Sequence, residues 1–91
     1  MFTILDTMAC EINEPITVGA VFSGGVVQPV WFAWRGRKVR ITEIAFTWKT
    51  REGSAMVFHF SVTDGQGLYE LGYHTTSFIW RLAAGEEHSA Y

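Results

Sequence analysis

The chain has one cysteine, two prolines and no apolar run approaching the roughly 18 residues that a membrane helix requires. Each shortage excludes something. Cys10 alone cannot build an internal disulfide framework. The N-terminus, MFTILDTMACE, lacks the cationic start of a signal peptide, so a reducing cytoplasm is the expected location and no membrane is expected as a partner. Repeats, low-complexity tracts and a linker are also absent. Residues 1–91 are therefore expected to form one small β domain, with 1–14 a weakly ordered arm or short strand and 84–91 a tail.

Cations are scarce outside a single segment. Arg35, Arg37, Lys38, Arg40, Lys49 and Arg51 face only Glu43 within residues 35–51, a local +5. The remainder sets Arg81 against eight carboxylates, so the overall −2 describes neither part.

Catalytic constellations are missing as well. Nucleophilic chemistry needs a hydroxyl or thiol beside an oriented base. Here no serine sits on a recognisable strained turn, and Cys10 falls in the segment with the weakest structural pattern. His59, His74 and His88 have neither close metal-ligand spacing nor cysteine partners, and His59 is expected to point outward from its strand. The scattered carboxylates read as solvated charge. DGQG lacks the further glycine and following helix of a dinucleotide loop, and no Lys-Ser/Thr phosphate loop is present. The expectation is no enzyme, no catalytic residue, no metal and no cofactor.

What the chain does have is hydrophobic content, 48% with 15% aromatic, arranged in alternation. ITVGAVF sets Ile16, Val18, Ala20 and Phe22 on one face, and Gly24–Gly25 can close a two-residue hairpin. VVQPVWFAW then alternates as Val26, Val30, Phe32 and Trp34, with Gln28 the exception. Pro29 cannot donate to a ladder, so this strand lies at an edge there or carries a bulge.

WRGR turns the chain at Gly36. In KVRITEIAFTW the apolar positions begin odd (Val39, Ile41) and continue even (Ile44, Phe46, Trp48), which predicts a β-bulge near Thr42–Glu43. AMVFHFSV places Met56, Phe58, Phe60 and Val62 inward with Val57, His59 and Ser61 outward. TDGQG is a turn, LYELGYH sets Tyr69, Leu71 and Tyr73 on one face, and FIWRLAA alternates Phe78, Trp80 and Leu82. The fold class is all-β: about six short antiparallel strands in a meander, curled into a small barrel or paired with another copy through exposed edges.

The one positive functional signal is WFAWRGRKVR, residues 31–40, where cations sit beside aromatic rings. Parity gives Phe32, Trp34, Trp48 and Trp80 to the core and leaves Trp31 on the opposite face. The candidate binding residues are Trp31, Arg35, Arg37, Lys38 and Arg40. Such a corner suits a protein or small-ligand contact, or single-stranded nucleic acid held by backbone charge and base stacking. It also suits the ordinary wet face of a strand, with arginine stems lying along ring edges.

Pro29-x-x-Phe32-x-Trp34-Arg35-Gly36-Arg37, with Ile41, Ile44 and Trp48 following, resembles a family of small bacterial domains of unknown function with a P-x-x-F-x-W-R-G-R-x-Y core. Phe58-x-Phe60-x-Val62, Gly67-x-Tyr69-Glu70-Leu71 and Trp80-x-Leu82 look like the C-terminal module of certain proteins related to error-prone Y-family DNA polymerases. The resemblance spans about residues 16–82 and departs from the pattern at Val39, where a tyrosine is expected. It implies a non-enzymatic accessory domain connected with DNA repair. Only Trp34, Arg35, Gly36 and Arg37 carry over as a matching motif, and no catalytic residue does. The combined expectation is a non-enzymatic binding module, a homo-oligomer or protein-bound, with a nucleic-acid-binding accessory domain as the alternative.

Overall fold

A strand that alternates apolar and polar residues can bury only one face, so a chain of such strands must curl or stack. The structure, a computed structural model, describes residues 10–86, and within them this chain curls. Seven strands form one antiparallel sheet: β1 (Cys10–Ser23), β2 (Val26–Trp34), β3 (Arg37–Arg40), β4 (Glu43–Glu52), β5 (Ala55–Thr63), β6 (Leu68–His74) and β7 (Ile79–Glu86). Their order in the sheet is β3-β2-β1-β7-β6-β5-β4. The all-β class stands, with seven strands instead of about six because KVRITEIAFTW splits in two. β1 starts at Cys10, so 10–14 belong to the sheet, and β7 carries residues 84–86. FTIL and His88 lie outside the described residues.

β1 serves two halves of the sheet. Its first half pairs with β7, up to Ile16 against Trp80, and its second half pairs with β2, from Thr17 against Ala33. The ring contacts show that the β1–β2 arm folds over the concave face of the others. Phe32 of β2 meets Tyr69 of β6 edge-on at 5.2 Å, and Phe22 of β1 meets Tyr73 of β6 at 5.8 Å, although β6 neighbours neither strand. Each such aromatic pair adds about 0.5–1.5 kcal/mol beyond its buried area.

The interior is made of Phe32, Val39, Phe60, Val62, Tyr69, Leu71, Tyr73, Trp80 and Leu82. Phe32, Val62, Leu71 and Leu82 are completely excluded from solvent. No polar or charged residue is buried among those described, so the core is held by apolar burial without internal ion pairs.

The two edge strands, β3 and β4, are consecutive in the chain. The Ile41 N–H still donates to the Val30 carbonyl, while the next N–H, of Thr42, donates to the Thr63 carbonyl. One peptide step thus crosses from one edge of the sheet to the other and closes the curl at that corner. Further along the seam the edges part, leaving an open groove of about 490 Å³ between Val26–Val27 and Thr47–Lys49, with Phe58 and Phe60 beneath.

Four of the six strand pairings contain a register irregularity, and these redistribute several side chains. The parity switch expected near Thr42–Glu43 is realised as the corner at Ile41–Thr42, and the bulge itself falls at Ala45, between the Ile44–Val62 and Phe46–Ser61 pairs. Phe46 and Trp48 were expected inside. The bulge instead puts them on the outer face, where Phe46 is 64% exposed. In β2, Val30 is the extra residue between the Trp31–Gly19 and Pro29–Ala20 pairs. Val27 and Pro29 consequently turn inward, and Val26 and Val30 turn out. Pro29 thus sits beside a bulge, on a stretch of β2 whose second neighbour, β3, pairs only with residues 31–34. Phe78 is exposed too, because it belongs to the β6–β7 turn with φ of 63°. Val57, assigned to the outer face, is nonetheless buried.

The β5–β6 turn is built around Asp64. Its carboxylate accepts the N–H groups of Gln66 and Gly67, both at 2.9 Å. Partial burial opposes its ionisation, but these backbone donors, with Arg37 nearby, hold the carboxyl below its ordinary range.

Two outcomes follow from this packing. Leu82→Ala is expected to lower unfolding free energy by about 2–5 kcal/mol in urea titration. Asp64→Ala is expected to cost about 1 kcal/mol at neutral pH. Because the folded-state pKa of Asp64 is lowered, its contribution is present above the ordinary carboxylate value of 3.8 and is lost as pH falls through the folded value. The stability gap between wild type and Asp64→Ala therefore closes in acid.

Candidate functional site

The five candidate residues of the basic corner lie on the β2–β3 hairpin, whose turn is Arg35–Gly36, both at positive φ. Cross-strand partners share a face, so the register decides where each side chain goes. Trp31 pairs with Arg40 and Ala33 with Lys38, placing Trp31, Lys38 and Arg40 together on the outer face. Arg37 pairs with Trp34 on the opposite face, and it acts electrostatically on Asp64. Arg35 projects from the turn.

Trp31 is half-buried and faces a glycine. It stands directly across from Gly19 in β1, and its indole occupies the place of the missing side chain. A Cβ at position 19 would come within 2.1 Å of the indole nitrogen. Lys38 lies on the ring with its Nζ 4.5 Å from the centroid. The indole is therefore fixed between a glycine and an ammonium group.

Arg35 is tied down separately. Its guanidinium donates to Glu14 at 2.7 Å and lies 4.9 Å over the Trp34 ring. Glu14 also accepts the Trp34 indole N–H at 2.9 Å. The hydrogen bond from Arg35, then that from Trp34, hold the Glu14 carboxyl below its usual range, and the same contact raises Arg35. Of the five, the structure brings together Trp31, Lys38 and Arg40. It commits Arg35 to Glu14 and sends Arg37 to the other face.

The surroundings of the three are apolar and uncharged. Val21, Val26 and Val30 are 52%, 61% and 43% exposed. Val21 pairs with Gln28 and Ser23 with Val26, in phase with the Gly19–Trp31 pair before the bulge. The sequence contains no carboxylate between Glu14 and Glu43, so nothing acidic is contributed to this face by β2, β3 or the second half of β1.

A second polar region occupies the outer face of β4–β7, and the sequence reading passed over it. His59 stacks on Trp48 with rings 5.0 Å apart and 5° from parallel. Its Nε2 lies 2.7 Å from the Thr50 hydroxyl, while its Nδ1 is shielded from water without a hydrogen-bond partner, 3.8 Å from Glu70. His74 accepts the Ser77 N–H at Nδ1 and faces Glu52 with Nε2 at 3.8 Å. Of these residues, His59, Thr50, His74, Ser77 and Glu52 border an open groove of about 660 Å³ that extends to Arg81 and Asn13. Histidines 15 positions apart gave no spacing signal. The available clue was Gly72, a glycine inside a strand, which often marks close approach of another group.

Among the described residues no three histidine, cysteine, aspartate or glutamate side chains converge as a metal site. No helix among them is long and apolar enough to cross a membrane. No protein-family model, curated protein or solved structure matches the chain.

The contact between Trp31 and Gly19 has a direct test. Gly19→Ala is expected to displace the indole and its lysine, costing about 1–2 kcal/mol through lost indole burial. The displaced residue would appear as a newly exposed signal in fluorotryptophan NMR, assigned with Trp31→Phe. An unchanged Trp31 resonance would show that the indole does not rest on Gly19.

Proposed function

We propose that the domain is a non-enzymatic binding module that docks an acidic, apolar protein segment on the outer face of the β1–β2–β3 arm. The observation that carries this reading is the combination on one face of exposed Val21, Val26 and Val30 with Trp31, Lys38 and Arg40, in a stretch of chain free of carboxylates. Apolar side chains supply desolvation, and the two cations select a partner of opposite charge and repel basic ones. Lys38 moves with the segment, since its ammonium now covers the ring that the segment would contact. Arg35 is engaged by Glu14 and Arg37 stands on the opposite face, so neither is assigned to the contact.

Panning a random peptide library against the domain tests this directly. The enriched peptides are expected to combine Asp or Glu with aromatic or aliphatic residues. They should lose at least tenfold in affinity to the Lys38→Glu/Arg40→Glu variant and keep it toward Lys49→Glu. Equal affinity for the first variant would overturn the assignment. Concentration-dependent sedimentation abolished by the same double variant would instead identify a second copy of the chain as the segment's source. Salt-sensitive binding of oligothymidine lost in that variant, with no peptide enriched, would replace the protein reading with single-stranded nucleic acid.

A further inference from the structure

The outer face of β5, β6 and β7 carries a ring of functional groups around a missing side chain. His59, Gly72 and Arg81 form one row across the three strands. Glu70 and His74 stand two residues before and after Gly72 and so share its face. With neighbouring strands about 4.8 Å apart, His59 and Arg81 leave the backbone roughly 10 Å from each other with only a glycine between them. His59, Gly72, His74 and Arg81 of this ring line the groove of about 660 Å³.

The groove's lining carboxylate, Glu52, lies 3.8 Å from Nε2 of His74, while Glu70 stands outside the lining, 3.8 Å from Nδ1 of His59. Arg81 makes no ion pair among the described residues. Its single contact among the described residues is a long hydrogen bond of 3.5 Å to the Asn13 carbonyl, and its side chain is exposed. Arg51 lines the same groove, as do the Thr50 and Ser77 hydroxyls. Nδ1 of His59, beside Gly72, is shielded from solvent and has no hydrogen-bond partner.

We propose that this groove binds a small oxyanion, a carboxylate or phosphate group, seated over Gly72 with Arg81 as its principal donor. A guanidinium supplies two parallel N–H groups to such an oxygen pair, and the hydroxyl-bearing walls complete the contact. The occupant is small because the ring is one side chain wide. The site is separate from the β1–β2–β3 docking face and shares no residue with it.

Nitrogen-15 NMR titrations with sodium phosphate and with sodium succinate, each against sodium chloride at matched ionic strength, test the site. The expected result is saturable shifts centred on His59, Gly72, His74 and Arg81, with a dissociation constant on the order of millimolar for one open contact. Response to phosphate, succinate or both names the preferred anion. Arg81→Gln should weaken binding at least tenfold. Gly72→Ala should keep the fold, since its Cβ would make ordinary contacts of 3.7 Å to Val57 and 3.9 Å to His59, and should weaken binding by filling the floor. Shifts that follow ionic strength and spread to Lys38, Arg40 and Lys49, or an unaltered titration in Arg81→Gln, would overturn the proposal. Neither variant touches the docking face, so failure here leaves the peptide result unaffected.

Discussion

Every side chain in this sheet has two places to go, because successive residues of a strand point to opposite faces. A bulge reverses the assignment for everything beyond it. The extra residue Val30 turns Val27 and Pro29 inward on one side while leaving Phe32 and Trp34 inward on the other. The extra residue Ala45 sends Phe46 and Trp48 outward while Ile44 stays opposite Val62. The apolar basic face depends on the first reversal, and the Trp48–His59 stack on the second. Without the first, Val26 and Val30 would not be exposed on one strand with an inward Phe32. Without the second, Trp48 would not lie flat on His59.

The same economy shapes the core. A single strand, β1, joins two sheet halves, and the β1–β2 arm reaches the far wall only because wide rings span the gap. Phe32 on Tyr69 and Phe22 on Tyr73 do so at 5.2 and 5.8 Å. Aliphatic residues alone would leave those walls out of contact and would lose dispersion along the whole interface. The corner at Ile41–Thr42 closes the curl by hydrogen bonds to both edges. The β2–β3 hairpin, and with it Trp31, Lys38 and Arg40, is therefore anchored at its far end.

Much of this was legible from residues alone. Alternation identified the strands, Gly24–Gly25, Gly36 and DGQG located three turns, and Pro29 announced an edge or bulge, both of which occur. Trp31 was separated from Phe32 and Trp34 by parity. The misplaced residues have a common cause. Phe46, Trp48 and Val26 lie beyond a bulge and Val30 is one, and a bulge is fixed by which partner residue must remain opposite across the strand, information that a single strand's own pattern does not contain. Phe78 was lost to a turn that lacks glycine. The groove around Gly72 was invisible for a related reason: His59, Gly72 and Arg81 become neighbours only through the β5–β6 and β6–β7 registers.

Parity also separates the charges. The basic segment read as one cluster along the chain, but in space its members divide among three environments. Arg35 meets Glu14, Arg37 acts on Asp64 from the opposite face, and Lys38 with Arg40 flank an apolar strip. Cations that meet a carboxylate within the fold have their field largely cancelled at short range, so they contribute little to attracting a partner. The field that reaches solvent from the hairpin thus comes from its outer face, where no acidic residue of β2 or β3 opposes it. On the far side of the sheet, Glu52 and Glu70 lie 3.8 Å from His74 and His59 around Gly72, and Arg81 makes no ion pair among the described residues. The domain's slight net acidity therefore coexists with one locally positive surface, apolar and broad, and with a second of mixed charge, polar and narrow, and their different shapes select occupants of different size.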